Sequence, residues 1–367
     1  MKSSFGERLR VTLEGESHGA FVAASVTGFP AGLKIDGAAL DAFMARRRGG
    51  GRLATPRREA DTPDFRSGIA DGVTTGEELR VVIENQNVRS GDYAGFTDTP
   101  RPSHADYTAQ MRFGSALDLR GGGHFSARLT APLCVIGELA RQALAARGIC
   151  IGAHLETVGA VHDRRFSPTE VSRSDFAEIL KNPLPVLDAA AGAAMEKEIF
   201  SARAAEDSVG GIVECAIIGV PPGVGSPLGR GLENALSSAV FVLGGVRGIE
   251  FGEGFAAAAM HGSEHNDPYR IKEGRVVTET NHAGGIVGGI STGMPIILRV
   301  AMKPTASIAL EQKTVSLSKM ENTVIRITGR HDPCIAVRAV PCVEAVAAIV
   351  LLDALLDTEE SREGRIR

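Results

Sequence analysis

Alternating apolar and polar positions predict β-strands at several places along the chain. The segments with this alternation and with β-branched residues are 10–13, 20–27, 79–85, 212–218, 296–302 and 323–328. Apolar residues at helical spacing occupy segments 37–48, 131–146, 174–180, 189–203, 232–241 and 343–356. Because the strands follow one another like hairpins, without regular βαβ alternation, the pattern predicts an α+β fold.

Two stretches of the first half resemble two stretches of the second half, in the same order. Residues 17–32 align without a gap with residues 208–223, and both predict a strand that enters a Pro/Gly turn. Residues 72–84 resemble residues 289–302, and each half closes with a long apolar helix. The echoes predict an old internal duplication, with chance similarity between turn segments as the alternative.

The composition favours one large domain. The chain has 367 residues, 43% of them hydrophobic, and no Ser/Pro/Gly-rich or charge-block linker interrupts it. The predicted boundaries are 1–357 for the domain, about 10–148 and 205–357 for its pseudo-repeat halves, and 358–367 for a charged tail.

The terminal segments and the cysteines predict a cytoplasmic protein. The basic segment Met1 to Arg10 runs into a polar stretch and so lacks the apolar centre of a signal peptide. The apolar run 345–352 is shorter than the roughly 20 residues that span a bilayer, so we expect no membrane partner. Five cysteines without a CxxC pair are typical of buried thiols in a reducing compartment.

Positive charge is concentrated in one segment. The net charge is only −4, yet six arginines and no lysine lie between Arg46 and Arg58. Guanidinium groups pair with carboxylate or phosphate oxygens two at a time, so this segment predicts a site for a small anion. One or two of the arginines would alternatively be capping charges at a helix C-terminus. A nucleic-acid-binding surface is a further interpretation, which the acidic net charge and the absence of tryptophan disfavour.

A glycine-rich loop precedes one of the predicted helices. Residues 120–128 read RGGGHFSAR, and such a loop lets backbone N–H groups approach an anion at a helix N-terminus. A flexible turn is the plainer alternative, but Arg120 and Arg128 on its two sides favour a phosphate or carboxylate site. No Walker A sequence and no GxGxxG between a strand and a helix occurs, which disfavours a nucleotide-dependent phosphotransferase and a nicotinamide-binding Rossmann unit.

Two histidines stand in polar segments suited to acid–base chemistry. His18 lies in GESHG ahead of an apolar strand, and His104 lies in a Pro/Ser loop that also holds an arginine and an aspartate. For His18, a hydrogen-bonded structural histidine is the alternative. His261 and His265 are spaced like metal ligands but lack a third ligand at diagnostic spacing, so we expect no metal.

Eight strings in order resemble the chorismate synthase family over nearly the whole chain. They are GESHG at 15–19, RRR at 46–48, RRE at 57–59, HADYT at 104–108, RGGGHFSAR at 120–128, NHAGGIVGGISTG at 281–293, KPTAS at 303–307 and GRHDPC at 329–334. The resemblance implies a β-α-β sandwich with helices between two antiparallel sheets, assembled as a homotetramer that binds reduced FMN. NADPH is the reductant that the family would use where it reduces its own flavin.

The resemblance also implies roles for individual residues. The implied catalytic residues are His18, His104 and Asp332. The implied FMN contacts are His124, Phe125, Ser126, Gly244, Gly245, Gly288, Lys303, Pro304, Thr305, Ala306, Ser307 and Arg330. The anion-binding residues, from the resemblance and from the motifs together, are Arg47, Arg48, Arg52, Arg120 and Arg128.

The implied reaction is a 1,4-anti elimination that converts 5-enolpyruvylshikimate 3-phosphate to chorismate. Phosphate leaves C3 and a proton leaves C6 of a ring that carries two carboxylates, so the arginines would supply a cationic pocket. The hypothesis assigns His18 as the general acid toward the departing phosphate. Asp332 assists removal of the C6 proton, and His104 stays cationic beside the reduced flavin.

Overall fold

The computed structural model describes residues 1–48, 53, 59–86, 96–114, 118, 120–327 and 331–366. Within them the chain forms two five-stranded antiparallel sheets with helices between.

The first sheet has the strand order β1-β2-β3-β7-β4. Its strands are β1 (Lys2–Phe5), β2 (Arg10–Gly15), β3 (Phe21–Thr27), β4 (Asp64–Ser67) and β7 (Leu79–Glu84), and the short hairpin β5 (Ile69–Ala70) and β6 (Val73–Thr74) lies beside it. Buried and less buried residues alternate along β2 and β7. The alternation expected from the sequence therefore reports one face on the core and one nearer solvent.

The second sheet has the strand order β11-β16-β10-β8-β9. Its strands are β8 (Cys150–Val158), β9 (Val161–His162), β10 (Gly211–Ile218), β11 (Val246–Phe251) and β16 (Ile296–Met302). Strands β8, β10 and β16 are buried along most of their length, because the segment around Phe166, Ile179 and Leu187 covers the face turned away from the helices. Three further hairpins are β12 (Tyr269–Lys272) with β13 (Arg275–Thr278), β14 (Ile286–Val287) with β15 (Ile290–Ser291), and β17 (Gln312–Ser316) with β18 (Glu321–Ile325).

Two apolar helices form the layer between the sheets. The helices of the described chain are α1 (Gly37–Arg47), α2 (Asp106–Phe113), α3 (Thr130–Ala145), α4 (Arg173–Ile179), α5 (Ala189–Ala204), α6 (Leu232–Val240), α7 (Gly262–His265) and α8 (Ala336–Ile366). Helix α3 packs against α8 and against strands of both sheets. A Cβ atom on Gly137 would lie 2.2 Å from Ala345 Cβ, so the two helix backbones meet where only glycine fits.

The two halves of the chain share one topology. In chain order, β2, β3, α1, β4, β7 and α3 correspond to β8, β10, α6, β11, β16 and α8, and the four strands of each set have the same neighbours in their sheet. The expected α+β sandwich is confirmed. Strand β8 takes the place of β2 but lies ahead of the predicted second half at 205–357, and the boundaries of the halves stay a prediction.

Helix α8 extends further in both directions than its apolar pattern predicted. It begins at Ala336 and continues through the predicted tail to Ile366. By length and composition its segment Ala336–Ser361 could cross a membrane, yet 83% of its most apolar window is buried inside the protein. Helix α8 is therefore a core helix of the fold.

Candidate active site

The glycine loop 120–126 turns sharply beside the end of strand β2. Gly121, Gly122 and Gly123 have φ of +61°, +86° and +53°, a left-handed region that glycine adopts without the Cβ penalty. The Ser17 N–H donates to the Gly123 carbonyl at 3.1 Å, which fixes the loop against the GESHG segment.

Both predicted catalytic histidines contact this loop at consecutive glycines. A Cβ atom on Gly121 would lie 2.5 Å from His18 Cδ2, and one on Gly122 would lie 3.6 Å from His104 Nε2. His18 is buried, whereas the His104 side chain is one-fifth exposed. The loop thus brings together two imidazoles that are far apart in the sequence.

His104 belongs to a buried charge cluster with Arg101 and Asp106. Its Nδ1 lies 2.6 Å from Asp106 Oδ1, and Arg101 donates to both carboxylate oxygens, from Nε at 2.7 Å and from Nη2 at 2.8 Å. Burial alone would raise the pKa of Asp106, but the hydrogen bonds from Arg101 and His104 outweigh it and hold that pKa well below its ordinary value. The carboxylate is therefore ionised.

The segment Lys303–Ser307 leaves strand β16 toward the same cluster. Arg101 Nη1 donates to Ser307 Oγ at 3.2 Å, and Lys303 Nζ donates to the Ser103 carbonyl. Thr305 Oγ1 donates to the Asp332 carbonyl at 2.6 Å. Burial, followed by repulsion from Arg247, lowers the pKa of Lys303. Of the other two predicted contacts in this segment, Pro304 is exposed and Ala306 is half-buried.

The start of helix α8 adds a second ion pair and a pocket. Arg338 donates from Nη1 to Asp332 Oδ2 at 2.8 Å and from Nε to the Arg47 carbonyl at 2.9 Å. These side chains line an open pocket whose empty space, counted out into the solvent, is about 450 Å³. Its lining residues are Arg47, Ala127, Thr130, Leu243, Gly244, Met302, Asp332, Ile335, Arg338, Ala339 and Cys342.

Two of the predicted anion-binding arginines are engaged by a buried carboxylate. Arg47 donates to Asp61 Oδ2 at 2.6 Å, and Arg128 donates to Asp61 Oδ1; all three side chains are at most 5% exposed. Burial would raise the pKa of Asp61, but the two guanidinium groups outweigh it and lower that pKa. The remaining nitrogens of Arg128 donate to Asn85 Oδ1 and the Glu84 carbonyl. This geometry favours a structural role for both arginines.

The other predicted anion-binding residues differ in their surroundings. Arg48 Nε is buried and has no hydrogen-bond partner in the part of the chain that the structure describes. Arg120 is half exposed and paired with Asp118. Arg52 and Arg330 lie outside the described residues, so the structure adds nothing to either prediction.

The predicted FMN contacts near the loop divide into two groups. Phe125 is 40% exposed, and its carbonyl lies 3.6 Å from the place of a Cβ on Gly244. Gly245 accepts a hydrogen bond from Lys303 N at 2.9 Å. Ser126 caps the turn that leads into α3. Phe125, Ser126, Gly244 and Gly245 thus lie beside the glycine loop or the segment Lys303–Ser307.

His124 and Gly288 are placed differently. His124 Nδ1 lies 2.8 Å from the Gly15 carbonyl, which only accepts, so Nδ1 donates, and Nε2 at 2.9 Å accepts from Ser3 Oγ. Both ring nitrogens are thereby used within the protein. Gly288 lies in the β14–β15 turn near the start of α6, whereas Gly244 and Gly245 follow the end of that helix. Their roles stay predictions.

Four residues of the cluster had no assigned role in the sequence analysis. Arg101 and Asp106 stand beside His104, in the Pro/Ser loop whose mixed chemistry was the available signal. Asp61 was not singled out by any motif, and its partners Arg47 and Arg128 lie 14 and 67 residues away. Arg338 reaches Asp332, six residues earlier, because helix α8 begins between them.

Fold and site together define an α+β enzyme with two histidines at one glycine loop and a pocket lined by two arginines. The chain matches the family model described as "Chorismate synthase" over residues 9–356. It is similar to the chorismate synthase of Lancefieldella parvula, with 43% identity over 99% of both chains. It is also similar to that of Pyrococcus abyssi, with 46% identity over 96% of this chain and 97% of the relative. A solved structure titled "Crystal Structure of Chorismate Synthase" superposes with a TM-score of 0.75 and 26% identity, covering 96% of this chain and 93% of the other.

The chain therefore belongs to the chorismate synthase family. It is a lyase, and its reaction is the family's elimination of phosphate from 5-enolpyruvylshikimate 3-phosphate to give chorismate.

Proposed function

We propose that the active site of this elimination is the glycine-loop cluster, which consists of the loop 120–126 together with His18, Arg101, His104, Asp106 and the segment Lys303–Ser307. We also propose that the reaction requires reduced FMN. The observation that carries the proposal is the meeting of His18 and His104 at Gly121 and Gly122. Two acid–base groups on one loop, beside a pocket lined by guanidinium groups, suit a substrate that loses a proton and a phosphate.

The residues around the pocket fit a flat anionic cofactor. A Cβ on Gly244 would touch only the Phe125 carbonyl, so the pocket wall is open at this position. Leu243, Met302 and Ile335 supply an apolar lining suited to an aromatic ring. Among the described residues the buried Arg48 Nε has no acceptor, which suits a group that pairs with a bound anion.

Reduced FMN would be held by Gly244 and Gly245, by Lys303 to Ser307 and by the Phe125–Ser126 turn, with Arg330, His124 and Gly288 as further predicted contacts. When bound, it would supply electron density to the elimination and would still be reduced after turnover, because the reaction has no net redox change. NADPH as the source of the reducing equivalents is part of the same proposal.

The chain's own residues then have distinct tasks. Protonated His18 donates a proton to the oxygen of the departing phosphate as charge develops there. His104, whose Nδ1 lies 2.6 Å from Asp106 Oδ1, would stay cationic beside the electron-rich ligand. Asp332 assists removal of the C6 proton, and its Oδ2 is oriented by Arg338 at 2.8 Å. Arg48 and Arg52 contribute the positive potential that the anionic substrate requires.

We also propose a cytoplasmic homotetramer. Exposed apolar side chains support subunit contacts: in the β12–β13 hairpin Tyr269, Ile271 and Val276 are 68%, 72% and 60% exposed, and Phe255, earlier in the chain, is 87% exposed. Sedimentation showing only monomer at micromolar concentration would contradict this part of the proposal.

Replacement of His18 tests the assignment of the general acid. We expect His18→Ala to lower kcat by roughly 10²- to 10⁴-fold with a modest change in KM, because the phosphate then leaves without a proton donor. His261→Ala is the matched control, since that imidazole is 85% exposed and lies outside the cluster. Parent turnover in His18→Ala would remove His18 from this role.

A second variant tests proton removal separately. Asp332→Asn should slow turnover and enlarge the kinetic isotope effect of substrate deuterated at C6, because the weakened step becomes more fully rate-limiting. His18→Ala should not enlarge that isotope effect if phosphate loss comes first. An unchanged isotope effect in Asp332→Asn would contradict its role.

A further inference from the structure

The His104 imidazole is held by a carboxylate that a ligand cannot reach. The Asp106 side chain is fully buried, and each of its oxygens already accepts two hydrogen bonds. Oδ1 accepts from His104 Nδ1 and Arg101 Nη2, and Oδ2 accepts from Arg101 N and Nε. Whatever Asp106 contributes to catalysis must therefore act through a neighbouring residue.

The geometry decides which nitrogen of His104 carries the proton in its neutral form. Asp106 is ionised and can only accept, so the 2.6 Å contact between Oδ1 and Nδ1 requires a hydrogen on Nδ1. The Arg101 Nη2 group, 3.1 Å from Nδ1, then donates to Asp106 Oδ1. His104 Nε2 remains directed toward Gly122, where its lone pair or its N–H meets a ligand.

The same cluster ties His104 to the segment after β16. Arg101 Nη1 reaches Ser307 Oγ at 3.2 Å, and Lys303 Nζ donates to the carbonyl of Ser103, the residue before His104. The orientation of the imidazole is thus set relative to both the glycine loop and Lys303–Ser307.

We propose that Asp106 is a positioning residue for the elimination, which accepts the hydrogen bond of His104 Nδ1–H and so directs Nε2 at the glycine loop. The inference rests on the proposed catalytic role of His104. A histidine whose orienting carboxylate is lost is held less firmly in its working orientation, and its reactions slow accordingly.

A double-mutant cycle tests the inference on the full-length protein with reduced FMN and substrate. Asp106→Asn should lower kcat by about 10- to 100-fold and leave KM within about threefold, because the pocket residues are untouched. The double variant Asp106→Asn/His104→Ala should be no slower than His104→Ala, because the effect passes through His104. Asp98→Asn is the matched control: this carboxylate accepts from Ser318 N and Ser316 Oγ, and no hydrogen bond joins it to a histidine of the described residues.

The pH dependence of kcat separates positioning from a merely structural role. The charged groups facing His104 are Asp106, Arg101, Lys303 and, across the loop, His18. Removing the Asp106 anion disfavours a positive charge on His104, so the alkaline limb of the profile should move to lower pH. A purely structural loss would instead lower kcat by the same factor at every pH. Should Asp106→Asn fail to fold, Asp106→Glu enters the same cycle, since it keeps the charge and displaces the imidazole.

Each outcome is decisive. Parent turnover in Asp106→Asn, or losses that add in the double variant, would overturn the inference while leaving the role of His104 intact. Parent turnover in His104→Ala would instead refute the proposed role of His104, and the positioning role would fall with it.

Discussion

Replacement of Asp61 should destabilise the protein strongly, because two buried cations share this one carboxylate. Arg47, Asp61 and Arg128 have side chains that are 3%, 2% and 5% exposed. Asp61 has φ of +48°, a conformation that Asn tolerates better than Ala, so Asp61→Asn removes the charge with little added backbone strain.

The expected loss of stability depends on the hydrogen bonds that each guanidinium keeps after Asp61 is replaced. Arg47 retains Thr130 Oγ1 at 2.9 Å and the Ala127 carbonyl at 3.2 Å, and Arg128 retains Asn85 and a backbone carbonyl. Neither arginine keeps an anion within this triad. Loss of one partner from a buried pair costs about 3–5 kcal/mol, and the surviving neutral hydrogen bonds keep this case within that range.

Urea unfolding at fixed protein concentration measures the change. We expect a lower midpoint with an unchanged slope, since the surface exposed on unfolding stays the same. Asp64→Asn is the control, because its ion pair with Arg66 has side chains 58% and 52% exposed and its loss should leave stability near that of the parent. A loss below about 1 kcal/mol in Asp61→Asn would refute the structural role.

Acid titration gives a second check on the same variant. The folded-state pKa of Asp61 is lowered, so its contribution is present above the unfolded-state pKa and is lost as pH falls through the folded-state value. The stability gap between parent and variant should therefore narrow in acid. A lower KM in Asp61→Asn than in the parent would show instead that Arg47, released from Asp61, binds substrate.

Three further substitutions give separate tests. Gly121→Ala would place a Cβ 2.5 Å from a ring carbon of His18 and should lower kcat by at least about tenfold, whereas Gly148→Ala, with φ of +81° and no neighbour within 4 Å, should keep activity near that of the parent. His154 is buried between two carboxylates, which outweigh its desolvation and raise its pKa, so it stabilises the fold below its unfolded-state pKa. The difference in stability between the parent and His154→Gln should therefore narrow as pH rises through the folded-state pKa of His154. A difference that stays constant with pH would contradict this. Gly137→Ala overpacks the contact with α8 and should lower stability by about 1–3 kcal/mol in thermal unfolding, and an unchanged midpoint would contradict the close approach.

Strands β2 and β7 were predicted from alternation, because one face of each strand meets the core. Strands β10 and β16 are buried along most of their length and were predicted from their β-branched residues. Strand β8 was missed because its buried positions include Gly152, His154 and Glu156, which interrupt any run of apolar or β-branched residues. Helix α2 was missed because it is short and opens within the polar string around His104, where loop chemistry was the plainer interpretation.

The candidate site divides in a similar way. His18 and His104 were predicted from polar motifs and family resemblance, and the fold brings them to one loop. The arginine run predicted an anion site, but the sequence carries no signal for burial, and Arg47 is paired with a carboxylate that the pattern did not single out. The ion pair of Arg338 with Asp332 spans six residues and depends on where helix α8 begins, which periodicity alone locates poorly.

The central claim is that the glycine-loop cluster performs a redox-neutral elimination with reduced FMN. The most direct measurement is anaerobic incubation of the protein with 5-enolpyruvylshikimate 3-phosphate and substoichiometric, chemically reduced FMN, in parent, His18→Ala and His104→Ala. If this claim holds, the parent forms many molecules of chorismate per flavin and an equal amount of phosphate, and its flavin is still reduced at the end. Both variants should form chorismate slowly. Chorismate formation without reduced flavin, or at parent rates in both variants, would contradict it.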